Sequence, residues 1–179
     1  MIYEPAEDSF LLQKHVKDFA KGIVLDMGTG SGILAEEAAT CPAVKQVYAV
    51  DIQEDVIAHL KKQKLDPKIR LVTSDLFSNL SGIRFDTILF NPPYLPNDPD
   101  VSALDLDGGE KGYEVIQKFF DVVDPHLQPS GKILLIFSSL TDHVEVDKII
   151  SGHGFSFQLL DKSHAFFEDL FLYLIEKKN

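Results

Sequence analysis

Apolar positions along the 179-residue chain follow two rhythms that alternate from end to end. Residues 7 to 20 space Phe10, Leu11, Val16 and Phe19 at helical intervals, with Glu7 and Asp8 in the first turn, and predict an amphipathic helix. "GIVLDMGTGSGILAEEAA" then reads as a short buried strand, a glycine loop and a second helix. "VKQVYAVDI" predicts a second strand, followed by a helix over residues 55 to 64. "IRLVTSD" and "FDTILF" predict the third and fourth strands, and residues 111 to 124 a helix. "KILLIFSS" is a fifth strand and residues 142 to 151 a further helix. "FSFQLLD" and "LFLYLIE" close the chain as strands.

Strands that are continuously apolar, separated by helical patterns, belong to a parallel sheet covered on both faces. The last two strands are joined only by "KSHAFFED", residues 162 to 169. That is too short for a parallel crossover, so they are expected to pair antiparallel. The predicted fold is α/β: a seven-stranded, mostly parallel sheet with helices on both faces and one antiparallel strand near the C-terminus. The length suits one domain over residues 1 to 179. Residues 94 to 110, rich in Pro, Asp and Gly, form the one long irregular segment, and loops of that length are often functional.

Composition narrows the classes of function. Apolar content of 45% and charged content of 25% are those of a globular protein. No apolar run approaches the roughly 20 residues that span a bilayer. "MIYEPAEDSF" has no basic flank before an apolar core, so no secretion signal is expected and the address is cytoplasmic. Cys41 is the single cysteine, and the six histidines show no paired ligand spacing, so no disulfide and no metal site are expected. The formal charge is −11, and the nearest basic cluster, "HLKKQK" at residues 59 to 64, reads as a solvated helix face. A neutral or basic partner is favoured over a bare duplex, whose phosphates call for clustered Lys and Arg.

"VLDMGTGSG" places Asp26 at a strand end and Gly28, Gly30 and Gly32 at alternate positions after it. Glycines let backbone approach a ligand and turn sharply into a helix. The spacing is G-x-G-x-G, one residue short of the dinucleotide fingerprint, so NAD is not the first choice. The second strand ends in Asp51, whose carboxylate suits ribose hydroxyls. The third ends in Asp75, which suits an exocyclic amine, with Leu76 and Phe77 packing a flat base. Any one of these acids could simply cap a helix or a turn. Three acids after three successive strands line the carboxyl edge of a parallel sheet, where ligands bind in such folds.

With these features the sequence resembles the class I S-adenosylmethionine-dependent methyltransferases over essentially the whole chain. The resemblance implies that the Gly28 to Gly32 loop, Thr29 included, holds the methionine part of the cofactor. It implies ribose at Asp51, with Ile52 beside it, and the adenine amine at Asp75, with Leu76 beside it.

The fourth strand runs into Asn91-Pro92-Pro93-Tyr94 within "DTILFNPPYLP". The prolines stop the strand and stiffen the chain beyond it. In such a sheet this segment lies beside the cofactor's sulfonium and suits methylation of a planar nitrogen. The lone pair of an amide or aromatic amine is delocalised. Two acceptors aimed at its hydrogens, the Asn91 side-chain oxygen and a proline carbonyl, can turn it toward the methyl group. Tyr94 offers a flat face. The bland reading is that Asn91 caps a turn and Tyr94 fills surface.

"YEPAEDSFLL", residues 3 to 12, and "LDGGEKGYEVI", residues 106 to 116, resemble the HemK-like glutamine methyltransferases, in their short archaeal and eukaryotic branch. That resemblance implies a class 1 translation release factor as substrate, methylated on the glutamine of its Gly-Gly-Gln motif. It also implies a small zinc-binding activator, with Glu7 and Ser9 near the cofactor's amino-acid end; a first-turn acid and a helix-start hydroxyl are the plain alternatives. Bacterial members carry an extra N-terminal helical domain that is not expected here. Rival readings are an exocyclic amine of RNA or DNA, a protein lysine, or a non-catalytic cofactor-binding subunit. "AFFEDLF", residues 165 to 171, is either a hairpin packed in the core or an exposed patch for a partner.

Overall fold

The structure is a computed structural model that describes residues 5–94, 111–165 and 168–178. Most of the predicted irregular segment and both phenylalanines at 166 and 167 of "AFFEDLF" lie outside the described residues. The elements run α1 (Glu7–Phe19), β1 (Gly22–Met27), α2 (Ile33–Ala39), β2 (Val44–Asp51), α3 (Glu54–Leu60), β3 (Ile69–Thr73) and β4 (Phe85–Phe90). They continue α4 (Glu114–Val123), a 3-10 turn (Asp124–His126), β5 (Leu127–Ser138), α5 (His143–Gly152), β6 (Phe155–Ala165) and β7 (Glu168–Lys177).

The seven strands form one sheet in the order β3-β2-β1-β4-β5-β7-β6. β1 to β5 pair in parallel, and β7 runs against both β5 and β6. The expected mostly parallel sheet with one reversed strand is the fold observed. Helices cover both faces, as the two-residue period of β4 makes plain. Thr87 Oγ1 donates to the Phe19 carbonyl of α1 at 3.0 Å, whereas Phe90, three residues on, stacks on Phe119 of α4 at 4.3 Å. α1 packs beside α2, and α4 beside α5.

Three element boundaries differ from the sequence pattern. β5 starts at Leu127 rather than at Lys132, with an irregularity that accommodates Pro129 and Gly131. β6 and β7 extend through most of the expected loop, because polar side chains suit an edge hairpin, and Lys162 and His164 both pair with Asp169, at 2.7 and 2.9 Å. α3 stops at Leu60, its last buried apolar residue; Lys61 to Lys64 are exposed and have no apolar face to hold a further turn.

The core is contiguous across both faces of the sheet. Phe85, Phe90, Phe119, Phe120, Phe137 and Phe155 are all fully buried, and each such side chain contributes about 1.5–3 kcal/mol. The buried face of α1 carries Leu11, Leu12 and Val16, while Phe10, expected inside, is 48% exposed. With that phase, Asp8 and Ser9 also turn inward.

Candidate active site

The chain reverses its direction of travel through the sheet between β1 and β4, since β1 is flanked by β2 on one side and β4 on the other. Loops leaving the carboxyl ends of two such strands diverge to opposite faces and leave a crevice. A cavity of about 340 Å³ opens there, within the range of small-molecule sites. Its walls come from Met27 to Ser31, Asp51 to Gln53, Ser74 to Leu76 and Phe90 to Tyr94. α1 adds Asp8 and Ser9, and α4 adds Val115 and Lys118.

The floor is the glycine loop. Gly28, Gly30 and Gly32 have φ of 71°, 51° and 84°, a left-handed conformation at every second residue that side chains rarely adopt. The loop is pinned by Thr29 N donating to Val50 O and by Gly32 N donating to Thr29 O, both at 2.8 Å. Beneath it, Asp26 Oδ2 accepts from Thr29 Oγ1 at 2.6 Å and from Ala35 N at 3.0 Å. Burial pushes the Asp26 carboxyl up to about 7; the two hydrogen bonds oppose the rise and nearby Asp51 adds to it. Asp26 is 1% exposed and does not line the cavity; it ties the loop to the first turn of α2. Gly32 also lies behind the wall, where an added Cβ would sit 3.1 Å from Leu60.

Asp51 closes β2 with both oxygens oriented by backbone. Oδ2 accepts from Gly30 N and Oδ1 from Gln53 N, each at 3.0 Å. A carboxylate oxygen has two lone pairs, so each can accept more than one donor, as vicinal hydroxyls would require. Ile52 beside it is 62% exposed and forms an apolar part of the cavity rim. Across the cavity, Ser74 Oγ accepts from Asn79 N at 3.0 Å and donates to Leu76 O at 2.9 Å. That turn holds Leu76 at φ 46°, the one non-glycine residue with positive φ among the described residues. It leaves Asp75 exposed on the rim. Phe77 points the other way, 6% exposed and stacked on His126, so it packs the core rather than a ligand.

Beside the end of β4, Asn91 Nδ2 donates to Asp8 Oδ2 at 3.1 Å and to Ser9 Oγ at 3.4 Å. Asn91 Oδ1 is buried with no hydrogen-bond partner among the described residues. Tyr94 is 8% exposed, with its hydroxyl on Asp8 Oδ2 at 3.1 Å and its carbonyl accepting from Thr141 Oγ1 at 2.6 Å. Pro92 is buried and Pro93 half-buried between them. Of the residues expected from sequence, Ser9, Gly28, Thr29, Gly30, Asp51, Ile52, Asp75, Leu76 and Asn91 to Tyr94 share this cavity. Glu7, Asp26 and Gly32 do not line it; Glu7 is exposed, and the acid in the wall is its neighbour Asp8. Sequence reasoning missed Asp8, Ser74 and Lys118. Asp8 carries a readable signal, standing four residues before Leu12 and eight before Val16 on the buried face.

A parallel sheet with one reversed strand, a glycine loop after β1 and a carboxylate ending β2 define a class I methyltransferase site. The methyltransferase small domain family model matches residues 6–166, so the chain belongs to that family and is an S-adenosylmethionine-dependent methyltransferase. It is 35% identical to a proposed protein N5-glutamine methyltransferase of Methanocaldococcus jannaschii over 94% of this chain and 88% of that one. Human methyltransferase HEMK2 is 29% identical over 86% of this chain and 79% of that one. The backbone is similar to that of E. cuniculi Mtq2 in its complex with Trm112, with a TM-score of 0.80, 26% identity and 98% of both chains covered. That complex methylates the translation termination factor eRF1.

The residues present suit the cofactor. Acceptors stand at Asp51 and Asp75, and apolar side chains at Ile52, Leu76 and Val115.

Proposed function

We propose that this chain, working as one catalytic domain, methylates the side-chain amide of a glutamine in the Gly-Gly-Gln motif of a class 1 translation release factor. A small zinc-binding protein acts as its activating partner. The observation that carries this reading is Asn91 Oδ1, buried in the cavity wall with no partner among the described residues. An unpaired buried acceptor costs about 1–3 kcal/mol, which a donor brought by substrate recovers. The similarity to the M. jannaschii and E. cuniculi proteins supports glutamine and the release factor as acceptor.

When bound, S-adenosylmethionine supplies an electrophilic methyl carbon on a sulfonium centre. Gly28, Thr29, Gly30 and Ser9 receive its amino-acid end, Asp51 the ribose hydroxyls and Asp75 the adenine amine, with Ile52 and Leu76 against the base. Asp26 and Gly32 keep the loop in shape from behind. Asn91 Oδ1 accepts one N–H of the acceptor amide, and a carbonyl of Pro92 or Pro93 accepts the other. Those bonds favour the geometry in which the nitrogen lone pair leaves conjugation, and they strengthen as positive charge develops on nitrogen. Asn91 is no base, so the departing proton passes to water.

The test uses the full chain, alone and co-expressed with a zinc-binding partner, with methyl-labelled S-adenosylmethionine and a class 1 release factor. Label on the Gly-Gly-Gln glutamine by mass spectrometry is the expected result. Asn91→Ala lowers transfer by about 100-fold, the scale of losing one transition-state hydrogen bond, and retains cofactor binding. Label that appears only in nuclease-sensitive material, or on lysine, overturns the acceptor.

A further inference from the structure

We propose that Asp8 fixes the polarity of the Asn91 amide, so that the site accepts only nitrogens that bring N–H donors. The proposal rests on Asn91 Oδ1 being the acceptor for substrate hydrogens. It begins with a cost: an acid that is 5% exposed has given up most of its water and needs hydrogen bonds in return. A favourable place in the first turn of a helix accounts for exposed Glu7 but not for Asp8, which faces the cavity.

The partners of Asp8 give the reason. Oδ1 accepts from Ser9 N at 2.6 Å and from Ser9 Oγ at 3.3 Å. Oδ2 accepts from Asn91 Nδ2 and from the Tyr94 hydroxyl, both at 3.1 Å. A carboxylate has no hydrogen to give, so everything bonded to it must donate. The Asn91 amide has two faces, one of donors and one an acceptor. Flipping it would set Oδ1 against Asp8 Oδ2, oxygen against oxygen. The donors are therefore held on Asp8, and the free face presented to substrate is Oδ1 alone.

That arrangement selects chemistry. A primary amide, an aromatic amine or a neutral alkyl amine brings hydrogens to Oδ1. A deprotonated oxygen or a ring nitrogen without hydrogen would meet it lone pair to lone pair. Tyr94 shares the same carboxylate oxygen, which fixes both ends of the Asn91 to Tyr94 segment to one point on α1. Asp8 is thus a positioning residue that sets acceptor class by acting through Asn91.

Asp8→Asn tests this at nearly constant volume. Its NH₂ must replace one oxygen: at the Oδ1 position it faces the Ser9 N–H, and at the Oδ2 position it faces Asn91 Nδ2. The second conflict is relieved only when Asn91 flips and turns its donors into the cavity. We expect kcat to fall by about tenfold or more, equivalent to about 1.4 kcal/mol.

The Asn91 side-chain amide resonances, identified by their loss in Asn91→Asp, give a readout independent of turnover. They are expected to be protected from exchange with water in the wild type and exposed in Asp8→Asn. Wild-type kcat together with unchanged Asn91 resonances in Asp8→Asn overturns the proposal. If Asp8→Asn folds poorly, rapid exchange of the Asn91 amide in the wild type overturns it equally. A wild type that shows protected Asn91 protons but methylates no glutamine refutes the acceptor reading and leaves the role of Asp8 standing.

Discussion

Burial turns Asp26 into a group that keeps its proton near neutrality, pushed up to about 7 where an ordinary carboxyl titrates near 3.8. The folded chain therefore binds more protons than the unfolded chain between those two values. The stability that Asp26 itself contributes is fully present below about pH 4, is lost as pH rises through about 7 and does not change further above it. The contribution lost across that window is on the order of 4 kcal/mol. Asp26→Asn keeps an acceptor for Thr29 Oγ1 and Ala35 N but does not titrate. Its urea-unfolding free energy is expected to lose less between pH 4 and pH 7 than that of the wild type. Equal slopes would place the titration elsewhere. Residue types and spacing made the glycine loop, Asp51 and Asn91 legible, because they recur together at the carboxyl ends of successive parallel strands, where ligands bind in such folds. Glu7 and Asp8 are adjacent acids whose difference is the phase of one helix, marked locally only by the four-residue spacing from Asp8 to Leu12 and Val16.

At the scale of elements, β1 has one end that serves the site and one that serves the fold. Its carboxyl end opens into the glycine loop, while its first residue, Gly22, has φ of 60° and abuts the Asp86 carboxylate of β4. Asp86 Oδ2 there accepts from Ile23 N at 2.8 Å, so a methyl group at residue 22 would collide with a side chain already engaged. Gly22→Ala is expected to cost about 2–4 kcal/mol from left-handed strain and overpacking together. The shift would appear in the denaturation midpoint, with turnover per folded molecule unchanged because the site is at the far end of the strand. The period of apolar residues was enough to find the strands and helices. It placed Phe10 on the wrong face and ended β6 early, since edge strands and helix phases answer to what packs beside them.

For the whole molecule, a formal charge of −11 sets a field that attracts basic partners from beyond contact range. For a basic protein acceptor, KM is expected to rise severalfold between about 0.05 and about 0.5 M salt as screening shortens the Debye length. kcat should hold, because the reacting groups are in contact and buried. A KM independent of salt would mean that shape rather than charge brings the acceptor in. Among the described residues no helix is long and apolar enough to cross a membrane.

The sequence by itself determined the succession of strands and helices, the reversal at the final hairpin and most of the residue types that line the cavity. All of these are written within about ten neighbouring positions, where periodicity and turn chemistry act. Tertiary structure decided which acid faces the cavity, that Asp26 and Gly32 support the loop from behind, and which way the Asn91 amide points. Those outcomes depend on partners far apart in the chain, 83 residues between Asp8 and Asn91 and 86 between Asp8 and Tyr94. They arise only when α1 docks against the end of β4 and burial obliges each polar atom to find its complement.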